Sequence, residues 1–268
     1  MNLRVKIAPS TALVQGRLWG AAARDWAALQ EPLHRPIWEA MLRSADIKPG
    51  SRLLDAGCGA GGAAILAAQM GVKVSGIDAA SRLIDIACIQ MPGGTFKVGG
   101  LEQLPFADRA FDAVISANAI QYTADPVATL REFARVIRPD GRIIVATWGK
   151  PEDCEVNAII EAVHALLSDL PAAGVPADFS RRGALDTALS SAGLVMIDDH
   201  EVDCPFTYDS METFWIAQRS SGTLQAAIKA VGESRVRAAA MTAATLFVTN
   251  NGSVRLSNRA RYAVARIR

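Results

Sequence analysis

The sequence predicts an α/β protein with a doubly wound, mostly parallel sheet. An apolar strand pattern at residues 53–56 runs through a glycine-rich turn into an alanine-rich helix pattern. A second strand pattern, at 72–78, ends in the acidic residue Asp78, as the first contains Asp55 near its end, and is followed by a helix pattern. Strands that alternate with helices are typical of parallel sheets. Half of the 268 residues are apolar, which is enough to bury one large core.

The glycine-rich turn at residues 57–62 predicts a ligand site. Glycine lets the backbone approach a ligand closely, and the helix that follows begins with unpaired N–H groups. In sheets of this type, ligands bind at the carboxyl ends of strands.

Two ligand classes are compatible with the turn. Residues 57–62 match the dinucleotide pattern G-x-G-x-x-G, which makes an NAD(P)-dependent oxidoreductase one alternative. Asp55, two positions before the first glycine, would repel a pyrophosphate but attract an ammonium or sulfonium group. None of the three tyrosines has a lysine four residues later, as short-chain dehydrogenases require. A turn without any ligand is the remaining alternative.

Residues 55–61 (Asp-Ala-Gly-Cys-Gly-Ala-Gly) resemble the first motif of class I S-adenosylmethionine-dependent methyltransferases. Residues 101–112 resemble a block that the ubiquinone-biosynthesis-like, small-molecule subgroup carries between its third and fourth strands. The resemblance implies a Rossmann-like sheet of seven strands with an antiparallel last strand and helical lid insertions. It implies S-adenosylmethionine as cofactor, S-adenosylhomocysteine as product, and methyl transfer to O, N or C of a small organic acceptor by in-line displacement. A non-catalytic relative that binds the same cofactor is a further alternative.

The cofactor-binding residues follow from the turn, the next strand tip and the resemblance. Asp78 lies about 20 residues beyond the turn, where a carboxylate holds ribose hydroxyls; alternatively it only begins the next helix. The resemblance places the residues before Leu-Pro-Phe at the adenine, with Gly100 where the family usually has Asp, and Asn118 near the sulfonium. The predicted set is Asp55, Gly57, Cys58, Gly59, Gly61, Asp78, Ala79, Leu101, Glu102 and Asn118.

No motif identifies a catalytic base. The candidates are His164, His34 and Tyr122. We expect no metal, because the four cysteines lack C-x-x-C spacing and the three histidines lie far apart. The acidic ligands of catechol-type methyltransferases are also missing after strands four and five.

The predicted organisation has three parts: an N-terminal helical cap at 1–48, a cofactor-binding core at 49–150, and a C-terminal half at 151–268 that completes the sheet. Within the last part we expect lid helices at about 152–180 and 207–250. The former ends in a loop containing Pro171, Gly174 and Pro176. Later elements are predicted as a helix at 181–192, a strand at 194–206, two or three helices at 209–249 and a last strand at about 257–267. Candidate residues lining the lid are Trp148, His164, Phe179, Phe206 and Trp215.

The charge distribution argues against a nucleic-acid substrate. The net charge is +1, although residues 229–268 contain eight basic residues and one acidic residue. Arginines alternate with apolar residues at 259–268, which predicts a half-exposed edge strand rather than an RNA-binding patch. Without an apolar run of ~18 residues or a signal-peptide pattern, we expect a cytoplasmic protein with reduced cysteines and no membrane association. Monomer and homodimer are both compatible with the sequence.

Overall fold

The computed structural model describes residues 11–167, 177–181 and 183–268. A seven-stranded sheet in the order β3-β2-β1-β4-β5-β9-β6 forms its centre, and a two-stranded hairpin, β7-β8, lies beside it. The strands are β1 Arg52–Ala56, β2 Lys73–Asp78, β3 Thr95–Val98, β4 Phe111–Ala117, β5 Ile137–Trp148, β6 Leu194–Asp203, β7 Phe206–Tyr208, β8 Val254–Leu256 and β9 Arg259–Ile267. In the seven-stranded sheet, β9 runs antiparallel to both of its neighbours, β5 and β6, and the other described strand pairs are parallel. The predicted fold class is confirmed.

Helices cover both faces of the sheet. They are α1 Thr11–Trp19, α2 Ala23–Asp25, α3 Arg35–Ser44, α4 Gly62–Gln69, α5 Ser81–Gln90, α6 Pro126–Val136, α7 Val156–His164, α8 Ala184–Ser191, α9 Met211–Arg219, α10 Gly222–Val231 and α11 Glu233–Ala244. Alternate strand residues point to opposite faces, so Leu53 packs in the core with α3 and α7, and Leu54 in the core with α6 and α8. Both faces of the strand are buried, which explains its continuous apolar run.

The N-terminal segment changes helix type before it reaches α3. A π-helical turn, Trp26–Gln30, follows α2, and a 3-10 turn, Glu31–His34, follows it directly. Pro32 and Pro36 lie at the starts of the 3-10 turn and α3, where a missing N–H costs least. The first ten residues of the predicted cap lie outside the described part.

The C-terminal half differs from the sequence prediction at one strand and one helix. The strand predicted at 194–206 ends at Asp203, and Phe206 begins β7, because Pro205 between them has no N–H for a sheet hydrogen bond. The helix predicted from 152 begins at Val156, and its loop with Pro171, Gly174 and Pro176 falls outside the described residues. Three helices, α9 to α11, fill 209–249 as expected.

The basic C-terminal strand is an interior strand. The edge-strand prediction was wrong, because β9 lies between β5 and β6. Two of its arginines have acidic partners on β6: Arg261 pairs with Asp199 at 2.7 Å and Arg259 with Asp203 at 3.0 Å. These arginines are therefore not free to form a cationic patch. In the described part of the chain, no helix is both long and apolar enough to cross a bilayer.

Candidate functional site

A cavity opens at the carboxyl ends of β1, β2 and β4, beneath the N-terminal segment. Most of the residues predicted from the sequence line it: Asp55, Gly57, Cys58, Gly59, Asp78, Ala79, Leu101, Glu102, Asn118, His34 and Tyr122. The three strands are parallel neighbours, and for this reason their tips converge at one edge.

The first residue of the turn, Gly57, must be a glycine because Ala119 lies too close to leave room for a side chain. Gly57 donates its N–H to the Ile77 carbonyl at 2.8 Å. Its φ is +85°, and a Cβ at this position would lie 2.3 Å from the Cβ of Ala119. Gly61, at the start of α4, instead faces Ala87 of α5, so its role is in helix packing behind the cavity wall.

Asp78 holds the glycine turn in place. Its two carboxylate oxygens accept hydrogen bonds from the N–H groups of Gly59, at 3.0 Å, and Ala80, at 2.8 Å. Each oxygen keeps a lone pair, so the carboxylate can also accept bonds from a sugar diol. Burial raises the pKa of Asp78. The predicted ribose role and the alternative structural role are thus geometrically compatible.

A third carboxylate, Glu31, was missed by the sequence analysis. It accepts hydrogen bonds from the N–H groups of Ala60 at 2.8 Å and Gly62 at 3.0 Å. Burial raises its pKa to about 7 despite these bonds. In dinucleotide-binding proteins the N–H groups at this helix start hold a pyrophosphate. Here the protein's own carboxylate occupies them, which argues against the NAD(P) alternative.

Two side chains at the cavity have polar atoms without partners. Asp55 is buried and its Oδ2 makes no hydrogen bond. Burial, together with the negative charges of Glu31 and Asp78, raises its pKa to about 8. Asn118, at φ +51°, has both side-chain amide atoms buried and unpaired. Buried polar atoms are rarely left unpaired, and strained non-glycine backbone is concentrated at functional sites.

The rest of the cavity wall is aromatic. The His34 ring lies among those of Trp26, Trp38, Trp148 and Phe206, with centroid distances of 5.2–6.4 Å. Its Nδ1 lies 3.2 Å from the Gln30 carbonyl oxygen and 3.3 Å from that of Glu31. Burial lowers the pKa of His34 to about 4, so the ring is neutral at physiological pH.

The remaining sequence candidates have different positions. Tyr122 lines the cavity, its ring is 5.4 Å from that of Trp19, and burial raises its pKa. His164 is exposed on α7 and is not among the residues lining the cavity. Phe179 and Trp215 are buried in the hydrophobic cores rather than at the cavity wall. The described residues contain no cluster of His, Cys, Asp or Glu that could hold a metal ion.

Comparison with known proteins favours the methyltransferase alternative over the oxidoreductase. A family model for a methyltransferase domain matches residues 54–145. Over 115 residues the chain is 35% identical to a malonyl-[acyl-carrier protein] O-methyltransferase of Serratia marcescens, covering 43% of this chain and 45% of that one. Over 116 residues it is 34% identical to a demethylmenaquinone methyltransferase of Beutenbergia cavernae, covering 43% and 48%. Residues 54–145 are therefore similar to the methyltransferase domain of such proteins.

Solved structures extend the likeness in fold to most of the chain. The YcgJ protein of Bacillus subtilis is 25% identical, with a TM-score of 0.60 over 88% of this chain and 99% of that one. The [4+2]-cyclase SpnF, at 18% identity, has a TM-score of 0.61 over 97% of both chains and shares the fold. The chain spans about half the length of the curated relatives that it matches.

The residues present fit S-adenosylmethionine, the cofactor of the methyltransferases that the chain resembles. Asp55 has a free carboxylate oxygen for the ammonium group, and Asp78 has lone pairs for the ribose diol. Four carboxylates line the cavity: Glu31, Asp55, Asp78 and Glu102. The described lining residues include no lysine or arginine. Such a site attracts a cationic ligand.

Proposed function

We propose that this chain transfers a methyl group from S-adenosylmethionine to an oxygen, nitrogen or carbon atom of a small organic acceptor. The observation that carries the proposal is the buried, unpaired Asp55 Oδ2 in a cavity whose described lining carries carboxylates and no cationic side chain. A buried carboxylate oxygen without a partner is costly, and an ammonium group would pair with it.

The proposed contacts follow the three strand tips. Asp55 binds the ammonium group, Asp78 the ribose hydroxyls, and Asn118 the reacting end of the cofactor or the acceptor. The adenine contact is made by backbone at Leu101 and Glu102. The Glu102 carboxylate already accepts the Ala124 N–H at 2.9 Å, which supports a backbone contact here.

The chemistry requires alignment more than acid–base assistance. When bound, the cofactor supplies a methyl group on a positively charged sulfur, which is a good leaving group. The protein orients the acceptor in line with that group and excludes water. The N-terminal segment that carries Trp19 and Trp26 lines the cavity and is proposed to provide this exclusion.

Thermal unfolding with S-adenosylhomocysteine or NAD tests the proposal. At a hundredfold excess over Kd, binding adds about 2.7 kcal/mol of stability. For a chain of this length, the melting temperature should rise by about 5–10 °C with S-adenosylhomocysteine and not with NAD. Asp78→Ala should remove most of the shift, whereas Asp85→Ala, at an exposed position of α5, should retain it.

Two outcomes would contradict the proposal. A shift with NAD alone would point to an oxidoreductase. Binding of S-adenosylhomocysteine without methyl transfer to any acceptor of a broad small-molecule panel would indicate the non-catalytic relative.

A further inference from the structure

The aromatic part of the cavity surrounds the imidazole ring of His34, whose protonation is set by its hydrogen bonds. His34 Nδ1 lies within hydrogen-bond distance of two backbone carbonyl oxygens, at 3.2 and 3.3 Å. Carbonyl oxygens only accept, so Nδ1 carries the proton. The neutral ring then has its lone pair on Nε2.

The surroundings of His34 favour a flat, apolar ligand. Its ring centroid is 5.2 Å from that of Phe206, 5.7 Å from Trp148 and 5.6 Å from Trp26. Trp148 and Phe206 also contact each other edge to face, with centroids 5.6 Å apart. Offset and edge-to-face contacts with such rings stabilise aromatic ligands in particular.

The charge of the cavity limits the acceptor further. No lysine or arginine lies among its described lining residues, and burial keeps His34 neutral by lowering its pKa to about 4. A carboxylate or phosphate on the acceptor would therefore meet carboxylates and no cationic side chain among the described lining residues. We therefore expect an uncharged acceptor.

We propose that His34 Nε2 receives the hydroxyl proton of a neutral hydroxyaromatic acceptor seated against Trp148 and Phe206, which makes the chain an O-methyltransferase. This inference depends on the proposed function and specifies its substrate class. The acceptor oxygen forms the new bond to the methyl carbon as the carbon–sulfur bond breaks. The electron pair of that bond stays on sulfur and neutralises its charge. The hydroxyl proton passes to Nε2, and the imidazolium formed loses it to solvent after product release.

Calorimetric titration of the protein saturated with S-adenosylhomocysteine tests the substrate class. Three probes of the same ring size are compared at pH 7.5: 2-naphthol, 2-methoxynaphthalene and 2-naphthoate. We expect 2-naphthol to bind at least fivefold more tightly than its methyl ether, which cannot donate to Nε2. We expect 2-naphthoate to bind at least tenfold more weakly than 2-naphthol.

Variants test the role of Nε2 itself. His34→Phe keeps an aromatic ring but removes both nitrogens, and should abolish the preference for 2-naphthol over the ether. His34→Gln, whose amide oxygen can accept a bond near the Nε2 position, should restore part of the binding preference but not the turnover of 2-naphthol. His200→Phe on β6, outside the cavity lining, should behave as the unmodified protein.

Nitrogen NMR gives a readout that does not depend on turnover or on the folding of a variant. The chain has only three histidines, so ¹⁵N-histidine labelling gives a simple spectrum. We expect one ring in the Nδ1–H form at pH 7.5, with an Nε2 shift that 2-naphthol changes and the methyl ether does not.

The inference and the proposed function fail in distinguishable ways. If S-adenosylhomocysteine does not bind, the methyltransferase proposal fails, and the inference with it. If it binds but 2-naphthol and 2-naphthoate bind equally, only the inference is overturned. The same holds if 2-naphthol does not change the Nε2 chemical shift.

Discussion

At the scale of residues, the site contains three carboxyl groups at positions where burial disfavours their ionised form. Glu31, Asp55 and Asp78 share one buried region, and each has its pKa raised, first of all by burial. Like charges in a low-dielectric site disfavour simultaneous ionisation. The free protein therefore holds a proton on Asp55 at neutral pH, since its pKa is about 8. A ligand with an ammonium group must displace that proton to form an ion pair.

The first prediction is a pH-dependent affinity for S-adenosylhomocysteine. Because the ligand ammonium binds ionised Asp55, affinity should rise as pH increases from about 6.5 to 8, by up to tenfold per pH unit. Above pH 8, where the carboxyl is already ionised, this increase should stop. Titrations at pH 7 in two buffers of different ionisation enthalpy should show release of about 0.5–1 proton on binding. Proton uptake, or affinity that falls over this range, would contradict the assignment.

The second prediction concerns Asp55→Asn. The variant removes the charge that pairs with the ammonium, so affinity for S-adenosylhomocysteine at pH 8 should fall by about 10–100-fold, as for loss of a charged hydrogen bond. Its affinity should also depend less on pH than that of the unmodified protein. The matched control is Asp85→Asn on the exposed side of α5, which should change neither quantity.

At the scale of elements, the glycine turn is held from two sides. Asp78 binds it from the tip of β2, and Glu31 binds it from the segment before α3. The sequence predicted Asp78 as a ribose-binding residue or the start of the next helix, because it follows a recognisable strand, but it did not predict the contact with the turn. It could not predict the contact from Glu31, because Glu31 binds backbone N–H groups 29 and 31 positions away, and no periodicity or motif marks such a contact.

The third prediction concerns the packing of α4 on α3. A Cβ on Gly62 would lie 2.3 Å from the ring of Trp38, which is itself buried. Gly62→Ala should lower the free energy of unfolding by about 1–3 kcal/mol through overpacking, even though alanine has the higher helix propensity. Urea denaturation measures the loss. Gly93→Ala, where a Cβ would meet nothing within 4 Å, should cost little. Equal stability of the two variants would contradict this account.

At the scale of the whole molecule, the strands were more predictable from the sequence than their order in the sheet. Strand tips, the glycine turn and the cap of α6 all follow from local chemistry; at this cap the Asp125 side chain accepts the Ala128 N–H at 2.9 Å. The interior position of β9 was not predictable from its alternating arginines, because two of them pair with acidic residues of β6 that lie more than fifty positions away. The aromatic wall around His34 likewise unites β5, β7 and the N-terminal segment.

The fourth prediction links the site to global stability. An acid whose pKa is higher in the folded than in the unfolded chain contributes stability at low pH that is lost as pH rises through its folded pKa. Asp55, shifted from 3.8 to about 8, and Glu31, shifted from 4.5 to about 7, should both act in this sense. His34, lowered from 6.5 to about 4, acts in the opposite sense but only below pH 6.5.

The loss of stability should therefore be steepest at about pH 6.5–7, at up to about 1.4 kcal/mol per pH unit for each carboxyl that is still protonated, and should level off above pH 8. Urea unfolding of the ligand-free protein across this range measures it. Saturating S-adenosylhomocysteine should flatten the slope, because the ammonium group stabilises the ionised Asp55 that the free protein avoids. Asp55→Asn should flatten it without ligand. A ligand-free protein whose stability does not fall from pH 6.5 to 8 would show that the carboxylates beside the glycine turn are already ionised, and that no cation is needed to balance them.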